Sequence, residues 1–218
     1  MGQWATSPYR SIGIYIGGRN RACSQANLSA SWVSTVESQG WRLVPTYVGL
    51  QAPCTTASNV SMIDSGTASS QGTVAADDAA SQANQLGIGV GSAIYFDMES
   101  YDNSQTSCTN TVLTFMSAWT SELHAKGYVA GEYSSASSGI ADQANAIGNS
   151  KYTAVDDIWI GAWDNRCDTV YGYTQWVPDS YWNQHRRLHQ CMGGHNESWG
   201  GATINIDTDY DDGAVAGS

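Results

Sequence analysis

Seven runs of apolar, β-branched or aromatic residues recur along the chain, separated by more polar stretches. Most of these runs lack strict alternation of polar and apolar residues, which is typical of strands covered on both faces in a parallel sheet. The pattern predicts seven β-strands at SIGIYIGG (11–18), WRLVPTYVGL (41–50), SAIYFDME (92–99), GYVAGEYSS (127–135), DIWIGAWD (157–164), RLHQC (187–191) and ATINIDTD (202–209).

Stretches with helical spacing lie between several of these runs. Three of them end on a glycine suited to terminate a helix, at Gly40, Gly87 and Gly127. Strand and helix alternating in this way predict an α/β fold with a parallel sheet, as one domain over residues 1–218. The predicted helices cover residues 27–40, 73–87, 109–127 and 138–148.

Two connections, 51–72 and 165–187, show neither the spacing of a helix nor that of a strand. Both follow the C-terminal ends of predicted strands. Long irregular loops in a compact domain are usually functional or disordered. Ligands of parallel α/β folds bind at that end of the sheet, whether it is open or closed into a barrel. No Gly-x-Gly-x-x-Gly follows a strand, so no nucleotide cofactor is expected.

Acidic and aromatic side chains recur where the predicted strands end. Residues two apart in a strand share a face, so the DxE pair in AIYFDMESY directs both carboxylates into one space. A solvent-exposed strand end, a core aromatic or a turn residue would explain any one of these positions alone. Their recurrence predicts a pocket formed by Tyr15, Tyr47, Asp97, Glu99, Glu132, Tyr133, Trp163, Asp164, Gln190, Asp207 and Asp209.

The charge and composition narrow the class of partner. Twenty acidic residues against nine basic ones give a formal charge of -11, which disfavours nucleic acid and anionic membranes. Nine Trp and 12 Tyr supply rings with a polar edge, which suit stacking on sugars. No run of 18 apolar residues occurs, and MGQWATSPYR has no signal-peptide pattern. Scattered cysteines in a lysine-poor chain favour an oxidising, extracytoplasmic setting, although buried free thiols remain an alternative.

The paired carboxylates suit glycoside hydrolysis, which needs one protonated acid and a second group that stabilises the oxocarbenium-like state or forms a covalent bond. Their spacing is compatible with both retaining and inverting geometry. Glu99, the more distal, is predicted to be the general acid/base, with Asp97 stabilising or orienting and the other pocket residues binding substrate. No metal or other cofactor is expected: DTDYDDG has Asp212 where a calcium loop needs glycine, and no zinc-binding spacing of cysteine or histidine occurs. The G-x-S-x-G motif of serine hydrolases does not occur in the chain either.

A family resemblance rests on motifs spread through the chain. SPYRSIGIYIGG, WRLVPTYVG with its cysteine-bearing loop, YFDMESY, IWIGAWD, LHQC and NIDTDYDDG occur in this order. They resemble the DUF1906-type glycoside-hydrolase-like domain of secreted actinobacterial proteins, which is itself similar to family 25 lysozymes. The resemblance implies a TIM-type (β/α) barrel that is secreted and acts on polysaccharide or peptidoglycan. A glycan-binding barrel without catalysis is the alternative.

The chain departs from the family pattern at its start. The pattern opens with a Gly-Phe-Asp strand and a nearby cysteine, whereas only a short segment precedes Gln3 and Trp4 here. Seven strands are therefore expected in place of eight. The barrel could close with a gap, exchange a strand with a neighbouring molecule, or bind glycan without turnover, and a monomer is expected unless a strand is exchanged. Positions in the family barrel imply bonds of Cys167 with Cys191 and of Cys23 with Cys54, leaving Cys108 free.

Overall fold

A computed structural model describes residues 1–217. All seven predicted strands and all four predicted helices are confirmed, and a short 3₁₀ helix, Gly2–Thr6, precedes them. In chain order the elements are β1 Ser11–Gly17, α1 Ala30–Ser38, β2 Arg42–Tyr47, α2 Ala68–Gln85, β3 Ala93–Asp97, α3 Thr106–Ala125, β4 Val129–Ser135, α4 Gly139–Ala146, β5 Asp157–Gly161, β6 Arg187–Trp199 and β7 Ala202–Asp212.

The strands form one sheet in sequential order, β1 to β7, which curls into a nearly closed barrel. Strands β1 to β6 are parallel to one another, as expected for α/β units. The last strand is not: β7 runs antiparallel to β6. The sequence prediction of an all-parallel sheet is therefore wrong at this edge. The two strands form a hairpin whose turn contains Gly200 and Gly201, both with positive φ.

Side chains of β1 and of the segment before it contact the β6–β7 hairpin across the gap between the edge strands β1 and β7. The Ser11 side chain hydrogen-bonds to Asp211, and the Tyr9 hydroxyl donates to Glu197 at 2.8 Å. Trp4 donates its indole N–H to the Ala202 carbonyl at 3.1 Å. The barrel thus closes with a gap in the ladder, the first of the three arrangements that the sequence left open.

Strand side chains divide into an inner and an outer layer. Ile94 and Phe96 face outward, where Phe96 meets Phe115 and Trp119 of α3 at ring-centroid distances of 5.0 and 5.1 Å. Gly72 lets α2 pack closely on α3, because a Cβ there would lie 2.2 Å from the Phe115 carbonyl oxygen. The apolar members of the inner layer are Val44, Ala93, Tyr95, Trp159 and Leu188.

The structure confirms one of the two predicted irregular connections and shortens the other. The stretch 51–72 was predicted to lack regular structure, but its last part belongs to α2, which begins at Ala68. Residues 68–72 include two serines and a glycine, so packing against α3, where Gly72 meets the Phe115 carbonyl, explains this helical turn better than intrinsic propensity. The stretch 165–186 contains neither helix nor strand, as predicted, and β6 begins at Arg187. No helix of the described chain is long and apolar enough to cross a bilayer.

Two disulfides join loops to neighbouring elements. Cys167–Cys191 is confirmed, with a Cα separation of 5.3 Å. The predicted bond between Cys23 and Cys54 is wrong, since Cys54 bonds to Cys108 and Cys23 is free and exposed. The loop after β2 crosses the end of β3 toward the start of α3, where Thr55 pairs with Tyr101. That path brings Cys54 to Cys108.

The disulfides should contribute unequally to stability. Replacing Cys54 and Cys108 by Ser should lower the free energy of unfolding by about 4 kcal/mol, against about 3 kcal/mol for Cys167 and Cys191, because a longer loop loses more entropy on cross-linking. The bonds span 54 and 24 residues of sequence. Urea unfolding measures both, with Cys23→Ser as the unbonded control. A Cys23→Ser variant as unstable as the Cys54/Cys108 variant would contradict the assignment.

Candidate functional site

The candidate site lies where the inner faces of the strands reach the C-terminal end of the barrel. Asp97 pairs in register with Tyr133 of β4, and Gln190 of β6 lies between Gly161 of β5 and Asp209 of β7. Alternation along the strands aims these side chains at the barrel interior. Polar groups from β3, β4, β6 and β7 therefore meet at one end.

Asp97 and Glu99 line a pocket of about 360 Å³ beside β1, β2 and β3. Asp97 ends β3 and is only 5% exposed, and its Oδ1 has no hydrogen-bond partner among the described residues. Glu99 lies two residues further and is exposed. The opposite wall is formed by Tyr15, Asn20, Ala22 and residues of the loop after β2. The pair thus presents one buried and one accessible carboxyl group to the same space.

Burial shifts the protonation of this pair. Loss of water raises the pKa of Asp97 to about 7, and the nearby charge of Glu99 adds to the shift. Partial desolvation also raises the pKa of Glu99. Burial, followed by the charges of Asp97, Glu99 and Asp207, raises the pKa of Tyr15 to about 12. The Tyr15 hydroxyl therefore stays protonated and can donate to a bound group.

Gln51 holds the backbone that carries the two carboxylates. Its side-chain amide donates to the Asp97 carbonyl at 2.8 Å and accepts the Glu99 N–H at 2.8 Å. Gln51 is 1% exposed, and its own backbone bonds to Ser61 and Ile63 of the loop after β2. The loop and the end of β3 are thereby fixed to each other. Sequence reasoning missed Gln51, since a lone Gln in a loop carries no periodic signal.

Gln190 joins the second half of the site. Its Oε1 accepts from the Tyr133 hydroxyl and from the Trp163 indole N–H, each at 2.8 Å, and its Nε2 donates to Asp207 at 3.3 Å. Trp163 is 67% exposed. Gly193 makes room for the ring, because a Cβ there would lie 2.9 Å from it. One face of the indole rests on β6 and leaves an exposed aromatic surface at the rim.

Three aspartates of β7 share its inner face. The antiparallel direction of β7 brings Asp207 to the rim, with Asp209 and Asp211 further along the strand toward the opposite end of the barrel. Asp209 accepts the Trp159 indole N–H at 2.7 Å, and burial and the charge of Asp211 raise its pKa to about 7. Burial also raises the pKa of Asp211. The sequence prediction omitted Asp211, although its spacing of two from Asp209 could have identified it.

The structure does not bring three of the predicted residues into this group. Tyr47 points outward and donates its hydroxyl to Asp78 of α2 at 2.7 Å. Glu132 also points outward, where Gln143 of α4 donates to it at 2.6 Å and burial raises its pKa to about 8. Asp164 lies beyond the end of β5, where it accepts the Tyr173 hydroxyl at 3.1 Å. These placements correct the sequence expectation.

The residues that do converge are Asp97, Glu99, Tyr15, Tyr133, Gln190, Trp163, Asp207 and Asp209. No group of three His, Cys, Asp or Glu side chains in residues 1–217 is arranged to hold a metal ion. What the arrangement can supply is proton transfer by carboxyl groups, hydrogen bonds to hydroxyl groups, and stacking on an indole.

Comparison with protein families identifies the chain. A family model for the Rv2525c-like, glycoside hydrolase-like domain matches residues 2–211. The chain belongs to this family. Its membership agrees with the resemblance inferred from the sequence motifs and links the barrel to glycan-related function. No curated protein sequence matches the chain.

Solved structures similar to this glycoside hydrolase-like domain share its fold at low sequence identity. The Tat-secreted protein Rv2525c of Mycobacterium tuberculosis is 15% identical, with a TM-score of 0.63 over 100% of this chain and 93% of that one. An uncharacterized B. stearothermophilus protein is 16% identical, with a TM-score of 0.55, covering 93% and 84%. The modular autolysin LytC from Streptococcus pneumoniae is 13% identical, with a TM-score of 0.53, covering 92% of this chain and 41% of LytC.

Removing the Gln51 amide should loosen the site of this glycoside hydrolase-like domain. Gln51→Leu leaves the Asp97 carbonyl and the Glu99 N–H without their partners, so the free energy of unfolding should fall by about 2 to 3 kcal/mol. Urea unfolding measures the loss. Gln85→Leu, on the exposed face of α2, is the matched control and should change stability little. Equal stability of the two variants would show that the Gln51 bonds do not hold the loop.

Proposed function

We propose that this domain is a secreted glycoside hydrolase that cleaves a cell-wall or other polysaccharide through Asp97 and Glu99. The observation that carries the proposal is the pocket carboxyl pair, in which a buried Asp97 oxygen lacks a partner beside an accessible Glu99. An unpartnered buried oxygen in a native pocket calls for a ligand or water. A sugar hydroxyl or acetamido group would supply the missing hydrogen bond.

The proposed chemistry assigns different roles to the two acids. Glu99 is accessible and donates its proton to the glycosidic oxygen as the bond to the anomeric carbon breaks. Water then adds to the sugar, and its proton returns to Glu99. Asp97 stabilises the positive charge that develops on the ring when it is ionised, and donates a hydrogen bond when it is protonated. With a pKa of about 7, Asp97 populates both forms near neutral pH.

The remaining side chains of the group would bind sugar units on either side of the cleaved bond. Trp163 offers an exposed ring for stacking, and Gln190 fixes that ring by accepting its N–H. The proposed substrate ligands are Tyr15, Tyr133, Trp163, Gln190, Asp207 and Asp209. We do not propose substrate contacts for Tyr47, Glu132 and Asp164, because they lie outside the barrel interior.

Secretion and a cell-wall substrate have indirect support. Two disulfides occur among the described residues, and such bonds persist in oxidising environments. Rv2525c is Tat-secreted, and LytC is an autolysin. Both similarities favour a protein that meets polysaccharide outside the cytoplasm. We propose that it acts as a monomer, because side chains of the same chain bridge the gap between β1 and β7.

A second candidate is a glycan-binding barrel without catalysis. It is favoured by Trp163, whose exposed face and Gln190 contact could bind a sugar without any chemistry at Asp97 and Glu99. The two candidates differ in what the carboxylates contribute. Hydrolysis requires them, whereas binding through the indole does not.

Reducing-end release from peptidoglycan and chitin-type polymers separates the candidates. Glu99→Gln should lower the rate by at least about a hundredfold, because general acid catalysis contributes that much or more. Asp97→Asn should also lower it. Glu122→Gln, on the surface of α3, is the matched control and should leave the rate unchanged. Binding is followed in parallel by tryptophan fluorescence, with Trp163→Ala expected to weaken it.

The outcomes are distinct. A wild-type protein that binds glycan through Trp163 but releases no reducing ends from any polymer would favour the non-catalytic barrel. A Glu99→Gln variant as active as wild type would contradict the assignment of the acid.

A further inference from the structure

The inner face of the site carries an excess of negative charge. Five carboxyl groups from two elements, the end of β3 and strand β7, face the barrel interior or its rim. They are Asp97, Glu99, Asp207, Asp209 and Asp211. None of them takes part in any of the ion pairs within residues 1–217.

Cationic side chains lie near the rim but do not neutralise the group. Arg21 donates to the Tyr15 backbone carbonyl at 3.5 Å. His195 lowers the pKa of Asp207 through its charge, but its ring hydrogen-bonds to Glu197 at 3.1 Å. Both lysines of the chain belong to the outer surface, where Lys126 pairs with Asp77 and Lys151 lies over a tyrosine ring.

Burial, with a smaller contribution from neighbouring charge, raises the pKa values of the site's carboxyl groups. Burial is the first cause of the raised pKa of each of the five acids, and a neighbouring carboxylate adds to it at Asp97 and Asp209. No cation opposes the shift at Asp97, Glu99 or Asp209. Burial first, and then these charges, also raise the pKa values of Tyr15 and Tyr133, whose hydroxyls face the same space.

A bound cation would relieve this repulsion, and Asp97 gives it a place to bind. The Asp97 side chain is more than nine-tenths buried, lines the pocket, and has an oxygen without a hydrogen-bond partner in the described chain. The carboxylates do not gather closely enough to hold a metal ion. Asp97 and Glu99 line the pocket and Asp207 lies at the rim, a separation that suits ammonium groups carried at intervals on an extended ligand.

The aromatic and amide groups at the rim identify the scaffold that carries those charges. Trp163 exposes one face of its ring beside Gln190, an arrangement that accepts a sugar by stacking and hydrogen bonding. We propose that the cleft selects a polysaccharide of amino sugars with free, protonated amines over its N-acetylated or acidic counterparts. The inference rests on the proposed function in taking the same cleft as the glycan site, and it names the substrate class.

Physical differences between the three kinds of sugar set the preference. An ammonium group beside Asp97 and Glu99 gains a charge-assisted hydrogen bond and lowers the repulsion among the carboxylates. An acetamido group is neutral and gains no ion pair. A uronate adds a further negative charge and is repelled.

Calorimetric titration of the wild-type protein with short oligomers tests the selection. The probes are glucosamine, N-acetylglucosamine and galacturonate oligomers of matched length, at about pH 6, where an amine is protonated. A bound ammonium group lowers the pKa of Asp97, so the carboxyl group releases its proton and forms the ion pair at this pH. The glucosamine oligomer should bind at least about tenfold more tightly than the N-acetylated one, and added salt should weaken it, since ion pairs at a solvent-facing cleft are screened. The uronate oligomer should bind least.

Two variants separate site recognition from general attraction to an acidic protein. Asp97→Asn should shrink the ratio between the glucosamine and N-acetylglucosamine affinities severalfold. Asp77→Asn makes the same charge change on the outer helix α2 and should leave the ratio unaltered. If both variants changed the ratio equally, the preference would come from the overall negative charge of the protein. The proposal would then be wrong.

The proposal and the proposed function can fail separately. If the N-acetylated oligomer binds as tightly as glucosamine or more so, and is cleaved, the selection for free amines is wrong while hydrolysis stands. If glucosamine oligomers bind through Asp97 but no polymer is cleaved, the selection stands and hydrolysis fails. Absence of binding by all three oligomers would contradict both.

Discussion

The alternation of side chains along each strand is the constraint on which the rest of the structure depends. In β3, Ile94 and Phe96 pack outward against the helices, so Tyr95 and Asp97 must face inward. A shift of one residue would expose the apolar layer and move Asp97 to the helix side. The burial that holds the barrel together therefore also draws a carboxyl group out of water, and the chemistry of the site follows from that.

The loop after β2 is fixed in place and keeps the Asp97 carboxyl group buried. Gln51 bonds to the backbone on both sides of the pair, and the Cys54–Cys108 disulfide ties the same loop to α3. A carboxyl group that cannot turn toward solvent keeps its raised pKa, so Asp97 exchanges a proton near neutral pH beside Glu99, the proposed acid. Stability and function oppose each other here. Because burial raises the pKa of Asp97 above its unfolded value, its contribution to stability is present at low pH and declines as pH rises through about 7.

The sequence could predict the strands, the helices and the Asp97–Glu99 pair, because length and apolar content mark buried strands and a spacing of two fixes a shared face. It could not predict the facing of Tyr47 and Glu132. Strands covered on both faces carry apolar residues at every position, so nothing in the run reveals which side is inner. The antiparallel direction of β7 could have been predicted, because Gly200 and Gly201 separate two alternating segments, as in a hairpin. Pairing of Cys54 depended on the path of a long loop, which no local pattern determines.

The account depends most directly on Asp97 titrating near neutral pH, far above an ordinary aspartate. Carboxyl-carbon NMR of the wild-type protein, titrated with pH, measures this at the residue. The midpoint for Asp97 should lie at about pH 7, and it should fall in Glu99→Gln, where the neighbouring negative charge is gone. A midpoint in the range of an ordinary aspartate, unchanged by Glu99→Gln, would contradict the account.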